Sequence, residues 1–244
     1  MKLGQGASYT EMECMLIEIT CSKDQAKLIF QDNGVKVFDA YTLEEAVDKT
    51  LIHVDNQIVL DHTQRVTALA GDLARRYRVS VCQAKMAALL HDISAIVPNK
   101  KKLALCEDLG MAISDLERRI PALIHGRLSA VMAQVFYDIR DPEVLQAIAC
   151  HTTLKSQPDD LDMILFCADK IEWDQADQRA FHPRMRSSVL LSLEQASLDY
   201  IHFAIHEEGF LMEAHPDLLA AYDWLKDKKA HGITKEDHMD SIIR

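Results

Sequence analysis

Glycine and proline are scarce in this sequence, with 8 and 6 residues respectively among 244. Folds built from many short strands need frequent turns, and these two residue types supply most of them. Their scarcity argues against a turn-rich β architecture and favours long helices. The content of 48% hydrophobic and 27% charged residues is ordinary for a soluble globular protein, so no fibrous or disordered class is indicated.

Positive charge is also in short supply, because 27 Lys and Arg face 38 Asp and Glu, for a net charge of -11. Binding to a nucleic-acid duplex or to an anionic membrane requires a broad basic surface. We therefore expect neither partner. A small anionic substrate remains compatible with a locally positive pocket.

Long apolar runs are missing as well, so no segment is expected to span a bilayer, and the N-terminus lacks the pattern of a signal peptide. The cysteines show no CxxC spacing, and several fall inside helical patterns, which is typical of reduced thiols in a cytoplasmic protein. We expect a cytoplasmic location, and the sequence leaves a homodimer open. The six cysteines are Cys14, Cys21, Cys82, Cys106, Cys150 and Cys167.

Helical patterns fill the chain from Thr42 onward, where Thr42 and Glu45 have the spacing of a capping box. Before that point, residues 15–22 and 35–41 are candidate strands on either side of a helix that ends at Asn33 and Gly34. Pro98 is expected to open a basic loop, and one long helix is expected over about residues 187–207. The predicted fold is all-α, with a core (43–180), C-terminal helices (181–244), and a short N-terminal extension (1–42) whose structure the sequence leaves open, α+β being one option.

Six ionisable residues lie on apolar faces of five predicted helices. His62, for example, precedes Val66 by four positions and continues a stripe of core residues. A single histidine on such a face is usually a hydrogen-bonded core residue. Several buried carboxylates are costly without a partner, however, and no Lys or Arg is expected on the same faces. The six residues are His62, His91, Asp92, His125, His151 and Asp169.

Four imidazoles and two carboxylates are a ligand set suited to first-row transition metals. Six ligands are many for one catalytic ion, which needs open positions for water and substrate. Two ions that share Asp92 fit the number better. Because neighbours on a helix point about 100° apart, His91 and Asp92 can both reach one ion only near a helix end, or Asp92 can span two ions.

The order of these residues resembles the HD superfamily of metal-dependent phosphohydrolases. The phrases LLHDIS, LIHG, AIACHTT and FCADKIEWD are similar to the YqeK-type branch, whose members split diadenosine tetraphosphate symmetrically into two ADP. The resemblance covers about residues 42–174. It implies an HD-domain helical bundle whose metal-binding core corresponds to residues 43–180, with the C-terminal helices packed on it.

The resemblance also implies a division of ligands between two ions. His62, His91 and Asp169 would hold one ion and His125 and His151 the other, with Asp92 as the bridge and His91 and Asp92 at the catalytic centre. Iron is the implied metal, divalent or trivalent, although manganese, nickel, cobalt or zinc would also suit the ligands. The implied reaction is cleavage of a phosphoanhydride bond of a nucleotide by metal-bound hydroxide.

The sequence departs from the YqeK-type pattern at two places, which leaves the substrate open. Ala95 stands where many members have Lys, and Trp173, Asp174 and Gln175 stand where many have Pro and a nearby Arg. The run Lys100, Lys101 and Lys102 could replace the missing charge, but a solvated surface explains it at least as well. Further candidate substrate-binding residues are Lys170, Thr152, Thr153, Arg127, Lys155, Trp173, Arg179 and Arg184.

Other functions remain compatible with the same residues. The chain could be an HD-type nucleotide phosphatase or a cyclic-nucleotide phosphodiesterase. It could also be a catalytically quiet module that binds a metal or a nucleotide.

Overall fold

The computed structural model describes residues 18–173, 182–206, 211 and 213–231, and all regular structure within these ranges is helical. This confirms the predicted all-α class. Two 3₁₀ turns, Ile93–Ile96 and Pro121–Ile124, interrupt a series of α-helices. The α-helices in the described ranges are α1 (Lys23–Asp32), α2 (Leu43–His53), α3 (Gln57–Tyr77), α4 (Val81–Leu90), α5 (Asn99–Asp108), α6 (Asp115–Arg119), α7 (His125–Phe136), α8 (Pro142–Cys150), α9 (Asp160–Glu172), α10 (His182–Ser188), α11 (Leu193–His206) and α12 (Pro216–His231).

The N-terminal region is helical where the capping signals predict a helix. Ser22 and Gln25 form a reciprocal capping box at the start of α1. Gly34 follows the helix with a φ of 80°, a left-handed backbone conformation that glycine adopts more readily than other residues. Phe30 packs edge-to-face on Phe136 of α7, with ring centroids 5.1 Å apart, so α1 is attached to the rest of the fold.

The strand predicted over residues 35–41 is wrong. This segment is irregular, and the described residues contain no other strand with which it could pair. A side chain satisfies part of its backbone instead, because the N–H of Phe38 donates to Thr50 Oγ1 at 3.1 Å. The other candidate strand covers residues 15–22, of which the structure describes 18–22. That portion is not a strand.

Helix α9 lies at the centre of the hydrophobic core. It packs against α3, α8 and α11, and every residue from 161 to 171 is buried. A helix that is covered on all sides needs no polar face, which explains the continuous apolar sequence around Phe166. Since α9 also carries Asp169, the fold places a carboxylate in the interior.

One hydrophobic core contains residues from all three predicted parts of the chain. Phe30 of α1, Phe166 of α9 and Leu225 of α12 all belong to it. The division of the chain at residues 42 and 180 stays a prediction.

Two predictions about the middle and end of the chain are wrong. The basic stretch after Pro98 is not a loop, because α5 begins at Asn99 and includes all three lysines. The helix expected over residues 187–207 is interrupted between Ser188 and Leu193. Tertiary contacts hold this interruption, since the hydroxyl of Tyr77 donates to the carbonyl of Val189 at 2.6 Å.

The described cysteines are free thiols, which agrees with the expected reduced state. They are Cys21, Cys82, Cys106, Cys150 and Cys167, and Cys14 lies outside the described residues. Burial raises the pKa of both Cys106 and Cys167 to about 12, so these thiols are unreactive. No helix in the described ranges has the length and apolar character needed to cross a membrane.

Candidate metal centre

The structure brings the six predicted ligand residues together at the ends of several helices. His62 lies in α3 and Asp169 in α9, while His125 is the first residue of α7. His91 and His151 are the residues that directly follow α4 and α8. As the apolar pattern predicts, His91, His151 and Asp169 are buried, with exposed fractions of 0%, 1% and 7%.

The chain leaves the helix between His91 and Asp92. Helix α4 ends at Leu90, His91 keeps helical backbone angles, and Asp92 turns away with φ -112° and ψ 15°. Ser94 then fixes this turn against α7, because its hydroxyl donates to the carbonyl of His125 at 2.9 Å. The adjacent imidazole and carboxylate can therefore point into one site, as the sequence predicts for a helix end.

The same local contact orients three of the histidines. The Nδ1 atoms of His91, His125 and His151 lie 2.7, 2.6 and 2.8 Å from the carbonyl three residues earlier. The Nδ1 of His62 lies 3.3 Å from the carbonyl of Glu172. A carbonyl only accepts, so the Nδ1 atoms of His91, His125 and His151 carry the proton and their Nε2 atoms present lone pairs to the site.

The histidine Nε2 atoms face each other in two pairs. The Nε2 atoms of His62 and His91 are 3.3 Å apart, and those of His125 and His151 are 3.0 Å apart. The lone pairs of His125 and His151 repel at this distance, whereas a cation in contact with both nitrogens would be attracted to them. The donor set therefore fits metal ions, and its two groupings are His62–His91–Asp92 and Asp92–His125–His151.

Asp92 belongs to both groups and presents a different oxygen to each. Its Oδ2 lies 3.6 Å from Nε2 of His91. Its Oδ1 lies 3.3 Å from Nε2 of His125 and 3.7 Å from Nε2 of His151. This is the geometry of a carboxylate that can bridge two ions.

Asp169 completes the first group, and its second oxygen is neutralised by a lysine. Its Oδ1 lies 3.1 Å from Nε2 of His62 and 3.8 Å from Nε2 of His91. Its Oδ2 accepts from Nζ of Lys170 at 2.7 Å. The expectation that no Lys or Arg compensates the buried carboxylates is therefore wrong for Asp169, because neighbouring side chains near the end of a helix can converge.

Electrostatics keeps the second pair of imidazoles neutral and Lys170 charged. Burial, with the neighbouring His125 and His91, lowers the pKa of His151 to about 3. Burial also lowers the pKa of His125, which Asp92 offsets only in part. Burial by itself lowers the pKa of Lys170, but the charge of Asp169 outweighs it and the pKa rises. Neutral imidazoles are the form that binds metal.

A cavity of about 460 Å³ opens onto this cluster of ligands. Of the predicted substrate-binding residues, Lys170, Thr152 and Trp173 line it. The Thr152 hydroxyl lies 3.1 Å from Nε2 of His125, within the second group. Lys170 is enclosed by the rings of Phe166, Trp173 and Tyr200, and its ammonium group contacts Asp169. Its role is therefore to hold the candidate metal ligand Asp169 in place.

The other predicted substrate-binding residues that the structure describes do not line the cavity. Arg127 pairs with Glu117, Lys155 with Asp162, and Arg184 with Asp199. Thr153 donates its hydroxyl to the carbonyl of Leu154. Arg179 lies outside the described residues.

Lys102 lines the cavity, although its sequence position fits a solvated surface at least as well. It is only 5% exposed. The missed signal is helical spacing, because Lys102 precedes the buried residues Leu105 and Cys106 by three and four positions. The spacing has this meaning only once residues 99–108 are known to be a helix.

Comparison with known proteins identifies the family. Residues 59–174 match the model of the HD domain. A Lactococcus lactis subsp. cremoris protein, described as an uncharacterized protein in pepC 5'region, is 40% identical over 143 residues, which are 59% of this chain and 72% of that protein. The chain belongs to the HD domain family. The HD-domain match includes all six residues of the cluster.

Two further relatives of this HD-domain protein have informative names. The symmetrical bis(5'-nucleosyl)-tetraphosphatase of Bacillus subtilis is 28% identical over 170 residues, which cover 67% of this chain and 87% of that protein. A crystal structure of a predicted HD superfamily hydrolase involved in NAD metabolism, from Clostridium acetobutylicum, superposes with a TM-score of 0.67 at 26% identity. The superposition covers 78% of this chain and 99% of that one.

Gly126→Ala is expected to separate α7 from α8 and displace His151. A Cβ at Gly126 would lie 2.9 Å from the carbonyl oxygen of Ala149, 3.1 Å from that of Ile148 and 3.2 Å from Cε1 of His151. Because two of these contacts are backbone, we expect a loss of about 1–3 kcal/mol in the free energy of unfolding. Urea denaturation measures the loss, and elemental analysis reports whether metal is lost with it.

Gly71→Ala is the matched control. A Cβ at Gly71 meets the flexible Lys85 side chain, 2.9 Å from its Cε, which can move away at little cost. Alanine is also the better helix former by about 1 kcal/mol. We expect unchanged or higher stability and unchanged metal content for this variant. Equal stability of the two variants would contradict the close approach at Gly126.

Proposed function

We propose that this HD-domain protein is a dinuclear-metal phosphohydrolase that splits a dinucleoside tetraphosphate symmetrically, such as diadenosine tetraphosphate into two ADP. The observation that carries the dinuclear assignment is the position of Asp92, whose two oxygens face two separate pairs of histidines. The substrate class is supported by the similarity to the symmetrical tetraphosphatase of Bacillus subtilis.

The protein would contribute a preorganised set of ligands. Backbone carbonyls fix the ring orientations of the histidines, and Lys170 fixes the free oxygen of Asp169. Bound ions would activate water and neutralise phosphate oxygens as charge moves to the leaving group. We propose iron as the physiological metal, while the nitrogen and oxygen ligands also suit manganese, nickel, cobalt and zinc.

The cavity offers separate surfaces for the parts of a nucleotide. Trp173, Ile58 and Val59 are apolar residues of the cavity lining, and the Trp173 indole offers a ring on which a base can stack. The Thr152 hydroxyl, 3.1 Å from Nε2 of His125, is placed to donate to a phosphate oxygen near the ligand cluster. In symmetrical hydrolysis, water oxygen bonds to one central phosphorus, and the bridging oxygen leaves with the second ADP.

Product analysis of a nucleotide panel in ¹⁸O-labelled water tests the proposal. We expect two ADP per diadenosine tetraphosphate, no inorganic phosphate, and one ¹⁸O atom in half of the ADP. Formation of AMP with ATP would contradict symmetrical cleavage.

The same panel distinguishes the alternative functions. Phosphate release from nucleoside mono- or triphosphates would assign a nucleotide phosphatase, and opening of a cyclic ester would assign a phosphodiesterase. Metal binding with no turnover of any nucleotide would assign a quiet binding module. Each of these results would overturn the proposed reaction.

A further inference from the structure

Lys102 is a buried lysine whose ammonium group has no protein partner within the described residues. It lies in the first turns of α5, is only 5% exposed, and lines the cavity above the metal centre. Neither an ion pair nor a hydrogen bond to its Nζ is present in the part of the chain that the structure describes. Burial lowers the pKa of Lys102, and the charge of Asp92 offsets this in part.

Among the described residues, the other buried lysine, Lys170, and the half-buried Lys155 each pair with an aspartate. Lys170 contacts Asp169 at 2.7 Å, and Lys155 contacts Asp162 at 3.2 Å. A buried charge without a partner is costly, so a lysine without one is unusual unless a ligand supplies the opposite charge. Lys102 faces a cavity large enough to admit such a ligand.

The described residues that line the cavity form no ion pair with Lys102. Ala95 and Asn99 are not ionisable, and the oxygens of Asp92 face His91, His125 and His151. Within the described lining, Lys102 is the cation without a carboxylate partner, because the other lining cation, Lys170, is bound to Asp169. An anionic group of the substrate is the partner that fits the position.

We infer that Lys102 binds the phosphate chain of the substrate beyond the phosphate at the metal centre, and thereby selects polyphosphates over monophosphates. This inference rests on the proposed function for the identity of the substrate. An ammonium group is a compact charge with three donors and can serve any phosphate oxygen within reach. A monophosphate held at the metal centre has no second phosphate to offer it.

Calorimetric binding of ADP and AMP to the metal-loaded full chain tests Lys102 without requiring turnover. Lys102→Met removes the charge and keeps an unbranched side chain. We expect ADP affinity to fall about 10- to 100-fold, as for the loss of a hydrogen bond to a charged group, with little change for AMP. Metal content should stay that of the wild type, and the unfolding temperature should be unchanged or higher.

Kinetics on diadenosine tetraphosphate gives a second measurement. Lys102→Met should raise KM by a similar factor, while kcat changes much less, because the ligand cluster is untouched. Lys100→Met is the matched control: Lys100 is exposed in the same turn of α5, so ADP affinity and KM should stay those of the wild type. Lys102→Gln repeats the comparison if the methionine variant does not fold.

The outcomes separate this inference from the proposed function. A wild-type protein that binds ADP through Lys102 but hydrolyses no tetraphosphate would contradict the proposed reaction and support the phosphate contact. Equal ADP affinity of Lys102→Met and wild type would overturn the inference, even if the tetraphosphate is hydrolysed. So would an equal loss in Lys100→Met, or a wild-type protein that binds ADP no better than AMP.

Discussion

Asp92→Asn is expected to lower hydrolytic activity about 10³-fold and to reduce the metal content from two ions per chain to one or none. The carboxylate presents Oδ2 to His91 and Oδ1 to His125 and His151, so one side chain serves both groups. Asparagine keeps the size but replaces one oxygen with an NH₂ group, which donates and cannot bind metal. The loss of one well-placed charge-stabilising group alone costs about 10²–10³ in rate.

Elemental analysis of protein purified without chelator, alongside an activity assay, measures both effects. Asp72→Asn is the matched control, because Asp72 is an exposed aspartate of the same helix as His62, about 15 Å along its axis. It should keep wild-type activity and metal content. Two ions per chain and full activity in Asp92→Asn would refute the bridging role.

Removal of metal is expected to lower the unfolding temperature by about 10 °C or more. Without ions, the Nε2 lone pairs of His125 and His151 face each other at 3.0 Å, and the Nε2 atoms of His62 and His91 lie 3.3 Å apart. An ion present at 1,000 times its Kd stabilises the native state by about 4 kcal/mol. For a chain of this size, each kcal/mol shifts the midpoint by about 2–4 °C.

Scanning calorimetry before and after chelation measures this shift, and re-addition of Fe²⁺ or Mn²⁺ should reverse it. Asp92→Asn is the control for a direct effect of the chelator, because a variant that has lost its ions should respond much less. A wild-type midpoint that does not move after verified metal removal would show that the cluster is stable by itself. The histidines would then be structural residues of the core.

Local signals predicted most of the helices correctly because those signals act over a few residues. The side chain of Thr42, for example, accepts from the backbone N–H of Glu45 at the start of α2, as their spacing predicts. The prediction was wrong where the local sequence is compatible with two backbone conformations. Residues 35–41 have strand-forming side chains, but a strand needs a partner, and pairing is a property of the whole fold.

The loop predicted for the basic residues after Pro98 was wrong for a related reason. Three consecutive lysines are compatible with a loop or with the first turn of a helix, and only packing of Leu105 and Cys106 into the core decides for the helix. That choice then directs Lys102 into the cavity and leaves Lys100 and Lys101 exposed. A residue that the sequence leaves at the surface thus becomes the candidate phosphate contact.

The sequence by itself determined the all-α class and the six residues of the candidate centre, because helical periodicity shows which ionisable side chains must share a face with the core. Only the tertiary structure decided which atoms meet. It assigned Oδ2 of Asp92 to the pair that contains His91, and Oδ1 to His125 and His151. It also paired Asp169 with Lys170 and left Lys102 without a partner among the residues that the structure describes. Such choices depend on distances between residues far apart in the chain, which periodicity within one helix does not contain.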